Sequence, residues 1–345
     1  MRFNMGSLSD NQLITLDFGS GGTKTSQLID EIIRPAFDNP ELDAMCDGAV
    51  LPEMPGRLAF STDSFVVDPL EFPGGNIGKL AVCGTVNDVS MCGAEPLYLS
   101  FSLIIEEGLP IRVLRNVVNS AAEEARKTGV KIVTGDTKVV GHGKADKLYI
   151  NTAGVGRIIY PGLGPDAIKP GDSILISGTC GDHAAAVMLA RGDLGLSSDS
   201  VQSDCAPLNE MMKAVCSAGC GEVRILRDPT RGGVATTLNE FCENRDFGIL
   251  LEHDSVPVDP GVKSACNMLG LDPLYCACEG KMLCIVSPDK EQEVLFAMRG
   301  TPYGKNAAVI GKCTSDHPGC VIMKTALGAG RILNKLSGAQ LPRIC

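Results

Sequence analysis

Pro161-Gly162-Leu163-Gly164-Pro165 divides this chain in two. Proline cannot donate a hydrogen bond into a helix or sheet, and glycine resists being fixed in either, so the run reads as a linker. The chain has 345 residues, more than one typical domain, which agrees with a division. On both sides of the linker, short apolar runs of strand character alternate with segments of helical periodicity. That order predicts an α/β (α+β) fold in two domains.

The periodicity places strands over 58–67, 96–105, 131–134 and 148–159. It places helices over 26–34, 76–92 and 112–128, the last closed by Gly129. After the linker, 173–177 reads as a strand, followed by a turn at Gly178-Thr179-Cys180-Gly181-Asp182 and a helix over 184–190. A further helix is expected over 232–245, with strands at 283–287 and 307–311. The resulting division is an arm with a Gly-rich loop (1–45), an N-terminal domain (46–160), a C-terminal domain (161–323) and a mobile tail (324–345). Tryptophan is absent, so Val, Ile, Leu, Ala and Met must fill the cores. The 40 glycines point to many tight turns and close backbone approaches.

The net charge of −10, with no Lys/Arg cluster, is unsuited to neutralising nucleic-acid phosphates. No apolar run reaches the roughly 18 residues of a membrane span. Residues 1–12 are polar and carry no export signal. With no such signal, fifteen cysteines are read as thiols in a reducing cytosol, many of them small core residues. Cys216-x3-Cys220 and Cys276-x-Cys278 do not have the spacing of a structural zinc site.

Several residues carry chemistry. Asp63 ends the strand segment Ala59-Phe60-Ser61-Thr62-Asp63, Asp88 follows Gly84-Thr85-Val86-Asn87, Asp136 follows Gly135, and Asp228 opens Asp228-Pro229-Thr230-Arg231-Gly232-Gly233. Each carboxylate at a strand-to-loop junction suits either Mg2+ with phosphate oxygens or a turn or helix cap. Phe18-Gly19-Ser20-Gly21-Gly22-Thr23-Lys24 offers bare N–H groups and a cation to a polyphosphate, or serves as a linker. Glu279, before Gly280, is either a general base or a solvated loop residue. His183 either contacts substrate or fills the first turn of a helix. Leu341-Pro342-Arg343-Ile344-Cys345 puts a thiol on a short extended arm, which either frays or carries a group between two sites. Gly328, Gly330 and Gly338 are the expected hinges.

Taken together, Phe18–Gly22, 61–69, 84–100, 135–140, Asp228–Gly233, Glu279-Gly280 and the terminal Pro342–Cys345 resemble the HypE family of hydrogenase-maturation proteins. The Asp-Pro-Thr-Arg-Gly-Gly box is similar to that of aminoimidazole ribonucleotide synthetase, selenophosphate synthetase and thiamine-monophosphate kinase. The resemblance implies a homodimer formed by the N-terminal domain, with ATP near the interface. It implies Mg2+ on Asp63, Asp88, Asp136 and Asp228, and nucleotide contacts from Gly19, Gly21, Gly22, Lys24, Thr85, Asn87, Gly135, Thr137, Lys138 and Arg231. Cys345 would receive a carbamoyl group from the partner HypF. ATP would then drive its dehydration to a thiocyanate, and the cyanide would pass to iron on HypC–HypD. Loss of two nitrogen protons requires a base, with Glu279 the first candidate and Asp88 the second. The rival readings are a selenophosphate synthetase-like enzyme, opposed by the lack of cysteine before Cys46, and a non-catalytic thiol carrier or scaffold.

Overall fold

The computed structural model describes residues 7–192, 200–325, 328–336 and 338. The N-terminal domain is built on β1 (Leu58–Phe65), α1 (Ile77–Met91), β2 (Ala94–Glu106), α2 (Ile111–Thr128), β3 (Lys131–Val140) and β4 (Leu148–Ile158). Its sheet has the order β1-β4-β2-β3, with only β2 and β3 parallel. Asn76 starts α1 because its side chain accepts the N–H groups of Gly78 and Lys79, both at 3.0 Å. Gly129 ends α2 in the left-handed region, at φ 76°.

α1 is buried around nearly its whole circumference, between the sheet, α2 and the second domain. Gly78 permits the approach of α2, since a Cβ there would lie 2.1 Å from the Val117 carbonyl oxygen. The arm is more structured than a short helix over 26–34. Helical turns run from Thr23 to Phe37, and Leu8, Ile14, Phe18, Leu28 and Ile32 are buried in the first core.

The second domain contains β5 (Ser173–Ile176), α3 (Asp182–Arg191), α4 (Asn209–Gly219), β6 (Val223–Arg227), α5 (Gly233–Cys242), β7 (Gly248–Glu252) and α6 (Pro260–Leu269). It continues with β8 (Leu283–Val286), α7 (Glu291–Arg299), β9 (Ala308–Thr314), β10 (Val321–Lys324) and β11 (Gly330–Leu333). The seven strands order as β11-β10-β7-β9-β5-β8-β6. The first core continues across the domain junction through α3 and through Val262, Ala265 and Cys266 of α6.

Three expectations are corrected. β3 extends to Val140, so Gly135-Asp136-Thr137 lies inside a strand; pairing with β2 through Val140 carries the ladder past the glycine. Asp63 likewise lies within β1, and Asp88 within α1, so neither is at a strand-to-loop junction. The chain after Lys324 does not leave as a free tail at once. β11 pairs with β10, with Gly330 opposite Lys324 and Leu333 opposite Val321, and buries Leu333 in the second core. Cys345, the proposed acceptor thiol, lies outside the described residues.

Candidate functional site

Strand parity sorts the acidic residues. Along β1, Ala59, Ser61, Asp63 and Phe65 share the helix-covered face. Ser61 donates its hydroxyl to Asp88 Oδ2 at 2.7 Å, which joins β1 to α1. Asp228 follows the end of β6 and reaches the same place from the second domain. Asp63, Asp88 and Asp228 line one polar cavity of about 320 Å³, with Arg227, Thr230 and Arg231 on its walls. Arg231 is largely exposed, 3.9 Å from Asp63 Oδ1.

The electrostatics of this cavity are those of crowded anions. Burial, and then the charge of Asp88, push the Asp228 carboxyl up to about 7. Burial also raises Asp63, with Asp88 adding to the shift and the Ser64 N–H and Arg231 opposing it. Among the described residues, no group of three or more His, Cys, Asp or Glu side chains is close enough to hold a metal ion unaided. Mg2+ characteristically takes one or two carboxylates and completes its shell with phosphate oxygens and water. The donor set therefore fits a metal arriving with a phosphate ligand.

Asp136 is not brought to this cavity. It pairs in register with Ser102, and Ser102 with Asn151, whereas Gly135 shares its row with Phe101, Thr152 and Asp63. Asp136 therefore stands on the open face of the sheet, with β4 and β2 between it and β1. Its carboxylate accepts from Lys138 Nζ at 3.1 Å.

A second cavity, of about 280 Å³, gathers Gly19 and Gly21 with Gly135, Asp136, Thr137 and Lys138. Gly19 is required there, since a Cβ would sit 2.5 Å from the Val139 nitrogen. Gly22 instead caps the helical turn Thr23–Leu28, and Lys24 is occupied by Asp17 at 3.0 Å. Two expected nucleotide contacts are corrected. The Thr85 hydroxyl is buried against Thr152, and the Asn87 amide is consumed between domains. Both follow from the inward-facing positions of α1.

Glu279 lies at the domain junction and is buried, not a solvated loop residue. Its N–H donates to Asp204 Oδ1 at 3.1 Å, and its carbonyl accepts from Asn87 Nδ2 at 3.4 Å. Burial raises its carboxyl well above the usual range, with further contributions from Cys205, Asp228 and Asp204. Gly280 has no room for a side chain, because a Cβ would lie 1.9 Å from the Asp204 carbonyl oxygen. His183 is buried in the first turn of α3. Its Nδ1 is 2.8 Å from Ser203 Oγ, its ring meets Phe72 edge-on, and burial lowers its pKa to about 3.

Residues 46–158 match the family "AIR synthase related protein, N-terminal domain", and residues 169–324 match the corresponding C-terminal domain. Carbamoyl dehydratase HypE of Rhodobacter capsulatus is 46% identical over 339 residues, which cover 97% of this chain and 99% of that one. The chain belongs to the HypE family. A crystal structure of hydrogenase maturation protein HypE in complex with ATP superposes with a TM-score of 0.90 at 47% identity, covering 96% of this chain and 99% of that one. The match to a chain of a HypE–HypF complex has a TM-score of 0.77 at 46% identity, covering 90% of this chain and 99% of that one.

For a HypE-family chain, sequence reasoning overlooked the charged group behind Glu279: Asp204, Lys281 and Asp182. Lys281 Nζ lies 3.2 Å from Asp182 Oδ2 and 3.6 Å from Asp204 Oδ2. Burial works against its charge, but Asp204 and Asp182 outweigh it and raise its pKa. Lys281, two residues after Glu279, was the available signal; Asp204, in a polar linker, offered none.

Proposed function

We propose that this chain is an ATP-dependent carbamoyl dehydratase of [NiFe]-hydrogenase maturation. It converts a thiocarboxamide on Cys345 into a protein-bound thiocyanate. The observation that carries the reading is Glu279, a buried carboxyl clamped through its own peptide beside three aspartates, in a chain related to HypE over nearly its full length.

The carbamoyl oxygen is a poor leaving group until it accepts the γ-phosphoryl group. Loss of phosphate and of the two nitrogen protons then leaves the C≡N bond. Glu279 is the proposed acceptor of a proton from nitrogen. Burial raises its carboxyl well above the usual range, which makes its carboxylate a stronger proton acceptor. Asp63, Asp88 and Asp228 would hold Mg2+, which supplies charge neutralisation on the transferred phosphoryl group. Asp88, bonded to Ser61, serves better there than as the base. Arg231, on the wall of the same cavity, is the proposed phosphate contact. Gly19, Gly21, Gly135, Thr137 and Lys138 form the polar wall of the second cavity and are the proposed nucleotide contacts of the arm.

A homodimer is supported by the open face of the first sheet, where Phe60 is 70%, Leu58 49% and Ile104 42% exposed. Asp136 and Lys138 stand on that face, so in the dimer they belong to the interface rather than to their own chain's aspartate cavity. HypF is the proposed carbamoyl donor, the HypC–HypD complex the cyanide acceptor, and the cytoplasm the compartment.

The test is mass spectrometry. The chain is first carbamoylated by HypF, freed of nucleotide, and then given Mg-ATP or a non-hydrolysable analogue. The expected result is a carbamoyl adduct on Cys345 that loses one water with ATP alone. ATP consumption with no adduct on Cys345 would overturn the reading in favour of a small-molecule kinase or synthetase of the same fold.

A further inference from the structure

The base must be held still, and a strap of chain between the domains does this. The strap, residues 203–208, is anchored at both ends. At its start, Ser203 N–H donates to the Pro73 carbonyl at 2.8 Å, while Ser203 Oγ meets His183 Nδ1 and accepts the Cys205 N–H at 3.1 Å. At its far end, Asn87 Nδ2 donates to the Ala206 carbonyl at 3.1 Å, and Asn87 Oδ1 accepts the Leu208 N–H at 2.8 Å. Asp204 lies between these anchors, with its side chain 1% exposed. One carboxylate oxygen accepts the Glu279 N–H. Among the described residues the other has no hydrogen-bond donor, and Lys281 Nζ lies 3.6 Å from it. Lys281 is in turn held by Asp182, which Thr179 supports with its hydroxyl.

This arrangement is costly if its only task is to satisfy one backbone N–H. A neutral amide or hydroxyl would do that without burying a carboxylate, an ammonium and a second carboxylate. What the charged group adds is fixity. Lys281 and Glu279 are two residues apart on one segment, so Asp204 grips that segment at two points. Gly280, between them, lets the strap carbonyl approach to where a side chain would otherwise sit. Asn87 then ties the same Glu279 peptide to α1, one residue before Asp88.

We propose that Asp204 is a positioning residue for the dehydration step, holding the Glu279 peptide in register with the aspartate cavity while Lys281 and Asp182 hold Asp204. The proposal rests on the reading of Glu279 as the base. Asp204 itself is buried and lines neither the aspartate cavity nor the arm cavity. It acts through Glu279, and displacement of a reacting group by about 1 Å can cost about 100-fold in rate.

The experiment uses full-length chain already carbamoylated by HypF, with single-turnover dehydration followed by mass spectrometry in Mg-ATP. Asp204→Ala removes the acceptor, Asp204→Asn keeps an oxygen for the Glu279 N–H, and Asp204→Glu keeps the charge but displaces it. Expected is a loss of about 10- to 100-fold in the dehydration rate constant for Asp204→Ala, with the KM for ATP and carbamoyl acceptance unchanged. Asp204→Asn, which keeps an oxygen for the Glu279 N–H but releases Lys281, should recover only part of that loss. Should Asp204→Ala fail to fold, Asp204→Glu carries the same expectation. Equal losses in the Asn and Ala variants, or a changed KM at unchanged rate constant, would overturn the positioning role. So would a wild-type rate in the displaced variants. Glu279→Gln is run alongside: if it dehydrates at the wild-type rate, the base assignment fails and this proposal fails with it. A slow Glu279→Gln beside a fast Asp204→Ala overturns the positioning role alone.

Discussion

At the scale of single residues, the aspartate cavity stores repulsion that a bound cation would relieve. Asp228 is raised to about 7, so the folded chain keeps a proton that the unfolded chain has lost above about pH 4. The native state then binds more protons than the unfolded state across that window. Stability from this group is therefore full at low pH and falls as pH rises through about 7. In EDTA, Asp228→Asn should gain thermal stability relative to wild type as pH is raised from about 5 to about 8. Mg-ATP should narrow the gap by stabilising the wild-type carboxylate. Calorimetry across that range checks it, and a gap independent of pH would show that Asp228 is ionised at rest. The aspartates were visible in the sequence as residue types, but their grouping was not. Asp136 looks equivalent to Asp63 in its local motif, and only strand register sends the two to opposite faces of one sheet.

At the scale of elements, α1 does the joining. It carries Asp88 toward β1, Asn87 toward the strap and Thr85 toward β4. A helix that meets neighbours on every side lacks a marked amphipathic stripe, so its length was legible from its apolar content but its contacts were not. The order of the first-domain elements was legible for the opposite reason: α2 is amphipathic, its Gly129 stop is clear, and β4 alternates strictly through Gly156. Helices α4, α6 and α7 escaped notice, and the polar linkers around them gave no strong periodicity. Asn76 starts α1 by accepting two N–H groups. Asn76→Ala should therefore lower stability by about 1 kcal/mol in urea denaturation, with little effect on the dehydration chemistry. A larger loss, or loss of ATP binding, would mean that the first turn of α1 shapes the site as well as the fold.

At the scale of the whole molecule, the first sheet uses only one face inside the chain. α1 covers that face, while Leu58, Phe60 and Ile104 remain on the open one. Monomeric chains seldom leave such a surface uncovered, and a second copy is the partner proposed to cover it. Asp136 and Lys138 lie on the same face, so the dimer and the nucleotide site are expected to be coupled. Phe60→Asp places a charge at the most exposed of these apolar side chains, away from Ser61 and Asp63, which point to the other face. It should convert the dimer to monomer in light scattering while leaving the far-ultraviolet spectrum unchanged. If ATP affinity falls with dimerisation, the interface completes the nucleotide site. If the chain becomes monomeric and still dehydrates at the wild-type rate, each protomer holds a full site, and Asp136 and Lys138 serve the interface alone.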